Sequence, residues 1–509
     1  MASVLYLVAS PAAAAELVGA VGLVVEATGD VADAVARSLA GHHDAVLIDV
    51  DVDVDGGAAG GALQLLDRFL AGLRAERDRE RRIRRDRILA VVHGDSGAVE
   101  RTIFELGHRR IGGYLHGPTD DDAGRARFVA AVRARLAAAA APPPSRKALC
   151  AAGGGISGVY YEVGVLKCLE DTLGGFSVHD FDMYFGISAG AIVTSLVANG
   201  VSLDQLIHDL DPRRPGGHDL EFRLRDLTLG DLPRRAMAVV EHLAEYRARV
   251  KSGEEKLSLT AALSQFAALS GPFFHGDAKR REMVAWLTEQ GHVDDFRRLR
   301  RELYIGATDQ DSREHVLFGA EPFRHVPISQ AVQASAAIHP FLAPVTIDGR
   351  RYTDGFVTRT TNIAAALDRG ANLVVILDPF LPYIADKAGF NDRHSLFWVL
   401  VQDYKTVAYT RYDKVSSALL ETHPSVACLA FLPSNRMRRL LASSPISTGN
   451  YDAIISQAYA STYRRLARMA YRFGPVLAEH GIELTLDRAA QRVRLLDAMP
   501  SPRAAALAA

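Results

Sequence analysis

Phe181-Asp182-Met183-Tyr184-Phe185-Gly186-Ile187-Ser188-Ala189-Gly190-Ala191-Ile192-Val193-Thr194 is the stretch that decides the fold. Phe181 to Phe185 reads as a short buried strand and Ala191 to Ala198 as the opening of an apolar helix, with a G-x-S-x-G pentapeptide between them. A serine between Gly186 and Gly190 suits a sharp strand-to-helix turn, because the absent side chains let the backbone bend and leave the hydroxyl exposed. Alone, such a pentapeptide arises by chance in a chain with 42 glycines, so its sequence context decides its meaning.

Upstream, Leu149-Cys150-Ala151-Ala152 reads as a strand running into the glycine-rich turn Gly153-Gly154-Gly155-Ile156-Ser157-Gly158, followed by a helical stretch from Val159 to Leu169. Backbone N–H groups at such a helix N-terminus can hold an anion, either a ligand phosphate or the oxyanion of a tetrahedral intermediate. Downstream, Val345 to Gly355 reads as a hairpin whose second arm delivers Asp354 just before a glycine. A carboxylate in that place can accept a serine proton directly.

These three motifs, in this order, resemble the patatin-like phospholipase family. Its pattern is G-G-G-x-[RK]-G, then G-x-S-x-G, then D-G-[GA], met here by Gly153 to Gly158, Gly186 to Gly190 and Asp354-Gly355-Phe356. The resemblance extends from about residue 147 to 380 and takes in Tyr161-Glu162-Val163-Gly164-Val165-Leu166-Lys167, Ala334-Ser335-Ala336-Ala337-Ile338-His339-Pro340 and the strand Leu373 to Leu377. It implies a three-layer α/β/α catalytic domain and a serine–aspartate dyad without histidine. Ser188 would be the nucleophile and Asp354 the base, with the N–H groups of Gly153, Gly154 and Gly155 as oxyanion hole and no cofactor or metal. The implied substrate is a lipid carboxylic ester, phospholipid or lysophospholipid, reached by transient contact with a membrane surface. Departures from the pattern are Ser157 where Arg or Lys is usual, Phe356 in place of a second small residue, and Thr360 and Asn362 where Asn and Pro are usual.

A carboxylate of ordinary pKa near 4 is a weak base for an alcohol, so the resemblance requires burial around Asp354 and a strong oxyanion hole. The rival arrangement is a histidine base in the order Ser, acid, His. Among 17 histidines, His423 lies downstream of Asp354 but in a turn-like Thr422-His423-Pro424, and His339 before Pro340 reads as shaping a loop.

At 509 residues and 48% hydrophobic content the chain has room for two to four full cores. A net charge of −1 excludes a global field for nucleic acid, and Cys150, Cys168 and Cys428 lack metal spacing, reading as reduced thiols of a cytoplasmic protein. Val4 to Val25 is apolar, but the first basic residue is Arg37 and Pro11 interrupts the run, so it reads as a buried strand and helix rather than a signal or anchor.

Residues 1–140 alternate strands (Val4 to Val8, Leu23 to Ala27, Ala45 to Asp49, Ile88 to Val92, Gly113 to Leu115) with helices, the pattern of a flavodoxin-like, doubly wound parallel sheet. A proline-rich linker over 141–146 separates this unit from a catalytic domain over 147–390. Asp44 to Asp49 and Gly112 to Pro118 resemble the third and fifth strands of a response-regulator receiver, with Asp49 as candidate phospho-acceptor. However, Ser10-Pro11 stands where paired acids hold Mg²⁺, His93 where Ser or Thr is usual, and Gly117 where Lys is usual. That combination implies a pseudo-receiver used for contact with a protein partner.

The acid cluster Asp49 to Asp55 reads as a solvated strand end rather than a calcium loop. Arg74 to Arg87, with eight arginines and four acids, reads as an ion-paired solvated helix. An insertion of about 203–301 reads as helices, with Ala236, Val240, Leu243, Tyr246 and Val250 recurring at helical spacing as a buried stripe, packing on the core in preference to forming a lid or acyl-chain channel over Ser188. Residues 391–498 read as a helical C-terminal region whose Phe397 to Val401 cluster is a candidate bilayer contact, and 499–509 as a disordered tail. Intact Ser188 and Asp354 favour a serine acyl hydrolase, while Ser157 and Phe356 favour the alternative, a catalytically impaired signalling or scaffold protein.

Overall fold

The computed structural model describes residues 2–8, 23–51, 63–76, 81–93, 97–118, 121–140, 145–214, 232–254, 274–289, 291–442 and 448–500, together with residues 256, 258, 272 and 507. Ser10-Pro11, the alanine run and the residues after it to Gly22, Asp53 and Asp55, and the linker prolines 142–144 lie outside these residues.

Strands β1 (Ala2–Leu7), β2 (Leu23–Thr28), β3 (Ala45–Asp51), β4 (Ile88–His93) and β5 (Gly113–His116) form an all-parallel sheet in the order β2-β1-β3-β4-β5. This is the flavodoxin-like doubly wound order, and the strands fall where the apolar runs predict them. Period-2 alternation serves two cores: Leu5, Leu7, Val46 and Ile48 pack on one face, and Val4, Tyr6, Leu47 and Leu89 on the other.

Among its described residues the arginine run does not continue the helix: Gln64–Ala75 stops at Ala75, Arg84 is extended, and Arg85–Arg87 make a single 3-10 turn before β4 at Ile88. Within the run Arg81 pairs with Glu76 and Arg84 with Asp86, as the ion-paired reading expected, while Arg84 and Arg87 also pair with Glu479, far along the chain.

The second sheet takes β6 (Lys147–Ala151), β8 (Met183–Gly186), β9 (Glu302–Asp309), β11 (Val345–Ile347), β12 (Arg350–Asp354), β13 (Leu373–Leu377) and β14 (Ala427–Phe431) in the order β11-β12-β9-β8-β6-β13-β14. Strand β10 (His315–Phe318) pairs with β9, and the two-residue β7 (Leu173–Gly174) pairs with β15 (Glu483–Leu484) apart from the sheet. From β9 to β14 the strands are parallel; β10 and the hairpin β11–β12 run antiparallel. Helices cover both faces, so β13 is apolar throughout, and all five of its residues are buried. The hairpin turns at Asp348-Gly349, both with positive φ (51° and 77°), the conformation a two-residue turn of primed type demands.

The C-terminal region differs from the helical reading. Ala427 to Phe431 pairs with β13 along its length, supplying hydrogen-bond partners to an edge that would otherwise be open. Leu507, in the segment expected to be a disordered tail, is buried in the core around β6 and β8. In the insertion, helix Leu232–Ser252 buries Val239 and Tyr246, whereas Val240, assigned to the buried stripe, is 60% exposed and Ala236 is also exposed.

Candidate active site

Strand register brings the motifs together. Gly186 pairs with Ile305 on one side of β9, while Asp354 pairs with Ala307 on the other, two residues further along. Asp354 thus stands just beyond the end of β8, level with the turn that carries Ser188. The glycine turn follows β6, the strand next to β8, and Pro379 follows β13 on the other side of β6. The groups converge outside the carboxyl ends of parallel strands, where ligands bind in open α/β sheets.

Ser188 has φ 55° and ψ −116°, a sparsely populated conformation for a residue with a Cβ. The strain of the turn is therefore borne by the serine and not by the flanking glycines, neither of which has a positive φ. Gly190 is required for room, since a Cβ there would lie 2.3 Å from the Ala151 carbonyl oxygen. Gly186 ends β8, and its surroundings are as close. The hydroxyl is not exposed to bulk solvent as the pentapeptide suggested: Ser188 is 8% accessible and opens into a cavity instead.

That cavity is bounded by Gly153, Gly154 and Gly155 on one side and by Ser188 and Asp354 on another. Its remaining walls are largely apolar, including Ile192, Met283, Trp286, Val332 and Phe341. A Cβ on Gly153 would come within 3.3 Å of the Ser188 Cβ, a contact tight enough that the turn would have to ease back from the serine by a few tenths of an ångström. Helix Gly155–Thr172 starts there with Gly154 as N-cap and no side chain capping it, which leaves the positive end of its dipole directed at the cavity.

Asp354 is fully buried. Its Oδ1 accepts the Phe356 N–H at 2.9 Å, and its Oδ2 has no hydrogen-bond partner. Burial pushes its carboxyl up to about 7; the Phe356 N–H and the nearby Ser188 hydroxyl pull the other way, although the hydroxyl stops short of full hydrogen-bond geometry. A carboxyl poised near neutrality with a free oxygen beside a hydroxyl can act as a general base at ordinary pH.

The departures from the motif pattern are accommodated. Ser157 is buried and donates to the Gly154 carbonyl at 3.3 Å, so it ties the turn together from inside the helix. Phe356 packs against Phe380 and Tyr404 at 5.5 and 5.6 Å between ring centres, adding an aromatic wall beside Asp354. Thr360 Oγ1 donates to the Ala408 carbonyl at 2.9 Å, and Asn362 Oδ1 lies 2.9 Å from His315 Nε2, so both fix the loop after Asp354.

Two residues were not singled out by sequence. Ser335 Oγ accepts the Ser188 N–H at 2.8 Å and donates to the Gly306 carbonyl at 2.6 Å, which pins the strained serine to β9. Arg411 donates to the carbonyls of Phe356 and Val357 and to Thr360 Oγ1, gripping the Asp354 loop from helix Leu396–Thr422. Helix Asp277–Glu289 of the insertion is a wall of the cavity through Met283 and Trp286, so this part of the insertion does more than pack on the core.

Other residues fall elsewhere. His423 caps helix Leu396–Thr422, 19 residues beyond the cavity residue Tyr404, roughly 28 Å at the helical rise. Among the described residues no histidine lines the cavity. His339 Nδ1 lies 3.3 Å from Thr353 Oγ1, in the loop before the hairpin. Val401, in the cluster considered for bilayer contact, is buried and lines the cavity, and Trp398 stacks on His394 at 4.5 Å; the side chain of Phe397 is outside the description. Among the described residues no helix is long and apolar enough to cross a membrane. Asp49 is buried, with Tyr6 Oη at 2.6 Å and His93 Nε2 at 2.9 Å from its Oδ1.

No curated protein matches the chain. VipD from Legionella pneumophila, a solved structure, is 13% identical, with 72% of this chain and 92% of that chain covered and a TM-score of 0.26. The complex of SpcU with ExoU, from the type III secretion system of Pseudomonas aeruginosa, is 16% identical over 72% of this chain and 71% of that chain, with a TM-score of 0.23. Likenesses at these TM-scores carry no argument about this chain. Residues 149–367 match the family model described as patatin-like phospholipase, and the chain therefore carries a patatin-like phospholipase domain, that of a lipid acyl hydrolase.

Proposed function

We propose that the chain hydrolyses carboxylic esters of phospholipids or lysophospholipids by acyl transfer through a Ser188–Asp354 dyad. Ser188 Oγ attacks the ester carbonyl carbon as Asp354 Oδ2 takes its proton, and the tetrahedral oxyanion is held by the N–H groups of the Gly153 to Gly155 turn. Collapse breaks the ester bond, and the leaving alcohol departs with the proton from Asp354. Water then gives a proton to Asp354 as its oxygen attacks the acyl-serine, and the second collapse returns the proton to Ser188 Oγ and releases the fatty acid. The observation that carries this reading is the unpaired, buried Oδ2 of Asp354 in the same cavity as a strained serine and an uncapped helix N-terminus.

The apolar walls suit an acyl chain, and Lys279 and Arg280 on the Asp277–Glu289 wall suit a phosphate headgroup. Such a substrate is drawn from a bilayer, so its capture requires transient contact with a membrane surface. A fluorophosphonate probe is expected to label the native chain covalently and to leave Ser188→Ala unlabelled. A native chain that resists the probe would instead support the scaffold reading.

We read the N-terminal sheet as a receiver-like unit that takes no phosphoryl group. Asp49 is engaged by Tyr6 and His93, and a Cβ at Gly117 would meet His93 Nδ1 at 2.2 Å, so the imidazole occupies the space a lysine stem would need. Acetyl phosphate with Mg²⁺ is expected to leave the intact mass of the chain unchanged; a phosphate adduct lost in Asp49→Asn would refute this.

A further inference from the structure

Asp378 and Lys405 are a buried acid and a buried base that the acyl transfer does not use. Asp378 directly follows β13 and is wholly inaccessible, and Lys405, on helix Leu396–Thr422, is buried as well. Burial pushes the Asp378 carboxyl up to about 6 and the Lys405 ammonium down to about 8, in each case against the pull of the other's charge. A buried pair of this kind is seldom more stabilising than apolar side chains of similar volume; what it adds is direction.

That direction is visible in the chain after β13. Asp378 Oδ1 accepts the Phe380 N–H at 2.9 Å and so closes a turn over Pro379. Pro379 has a fixed φ and no N–H, and the turn is held by this bond and by the Leu381 N–H on the Pro379 carbonyl at 3.0 Å. Lys405 braces it from the helix: its Nζ donates to the Leu441 carbonyl at 2.8 Å and stands 5.5 Å from the centre of the Phe380 ring.

The two residues held in this way touch opposite halves of the active site. The Pro379 ring lies against the glycine turn, where a Cβ on Gly154 would come 2.7 Å from its Cγ and one on Gly158 3.2 Å. The Phe380 ring lines the cavity and packs on Phe356, whose N–H is the donor to Asp354 Oδ1. A shift of this turn therefore moves the oxyanion donors and the base together.

We infer that Asp378 is a positioning residue for the ester cleavage proposed above, on which this inference rests: its carboxylate fixes the Asp378-Pro379-Phe380 turn, and the turn sets where the oxyanion donors and the Asp354 loop stand relative to Ser188.

The test uses the full chain with p-nitrophenyl butyrate, a soluble ester that needs no membrane. Asp378→Ala is expected to lower kcat about a hundredfold, the effect of roughly 1 Å of misplacement, with KM little changed because the apolar walls remain. Asp378→Asn keeps an oxygen for the Phe380 N–H and is expected to stay within about tenfold of the native kcat. Pro379→Ala removes the ring and not the carboxylate; it should lower kcat about tenfold or more, and it reads the same contact if Asp378→Ala does not fold. Asp171→Asn is the comparison for stability alone. That buried carboxylate pairs with Arg492 and accepts from Tyr459 at the far end of helix Gly155–Thr172, so its loss should lower the melting temperature and leave kcat as it is. Hydrogen–deuterium exchange of the peptide spanning Gly153 to Gly158 reads the positioning without turnover, and it should be faster in Pro379→Ala and Asp378→Ala than in Asp171→Asn. A kcat that Asp378→Ala or Pro379→Ala leaves unmoved, a loss in Asp378→Asn as deep as that in Asp378→Ala, or an equal loss in Asp171→Asn overturns the inference. A native chain that cleaves no ester would end the dyad reading instead, and the exchange comparison would then decide by itself whether Asp378 positions the turn.

Discussion

Asp354→Asn is expected to lower kcat/KM for ester cleavage by about 10³-fold while making the protein more stable at pH 8. Both effects have one origin. Burial holds the Asp354 carboxyl at about 7, so the native state keeps a proton there that the unfolded chain, with an ordinary carboxyl near 4, has already lost. For a group raised in this way, its contribution to stability is fully present below about pH 4 and is lost as pH rises to about 7. At pH 8 the ionised carboxylate therefore weighs against folding, by an amount on the order of 4 kcal/mol for three pKa units. Asparagine bears no such charge, and its carbonyl oxygen can still accept the Phe356 N–H that now reaches Oδ1 at 2.9 Å. It cannot take the proton of Ser188. In the native enzyme kcat/KM should climb with pH and level off above about 7, and in Asp354→Asn the residual rate should lose that step. Thermal melts at pH 5 and pH 8 check the stability half, with the gain larger at the higher pH. A variant that still cleaves at near-native rate would assign the proton to another group.

Much of this arrangement is legible in the chain because the deciding contacts are local or lie on strands with unambiguous patterns. Ser188 and the glycine turn each follow an apolar strand directly, and Asp354 ends the hairpin read from Val345 to Gly355, so finding the strands places the residues. Ser335 escaped because its role exists only across 147 residues of chain, where its hydroxyl meets the Ser188 N–H. Arg411 escaped likewise, since nothing in a helical stretch tells which carbonyls its guanidinium will reach. The arginine run was misread for a related reason. Charges spaced for pairing along a helix count only if the helix continues, and here it ends at Ala75, so Arg85 and Arg87 find Glu421 and Glu479 on another part of the fold, while Arg84 keeps Asp86 nearby. Ala427 to Phe431 is a short apolar run between long helices, a pattern that fits a buried helix segment as well as a strand until an unpaired β13 edge is known to lie beside it.

Gly190→Ala is expected to destabilise the protein by about 3 kcal/mol or more and to abolish fluorophosphonate labelling at Ser188. Ordinarily glycine to alanine within a helix is favourable, by roughly 0.5–1 kcal/mol, because it restricts the unfolded chain and removes no contact. Position 190 inverts that rule: the added methyl would sit 2.3 Å from the carbonyl oxygen and 2.4 Å from the carbonyl carbon of Ala151. Neither neighbour is a side chain able to swing away. Ala151 is backbone at the end of β6, held in register by β8 on one side and β13 on the other. The helix must therefore lift from the sheet, and it carries Ser188 at its N-cap, with the strained φ of 55° and the Ser335 contact that fix the hydroxyl. Displacement of a reacting atom by about 1 Å is enough to cost about a hundredfold in rate. Gly107→Ala is the control. It also lies in a helix, at the end of Gly97–Gly107, with no positive φ and nothing within 4 Å of a new Cβ, so it should leave labelling intact and stability equal or higher. Equal behaviour of the two variants would mean that the sheet yields where its pairing says it is rigid, and the steric account of the pentapeptide would fail. If they diverge, the glycines of the motif serve as clearance for a helix pressed against a strand, and the strain that presents the nucleophile resides in the serine itself.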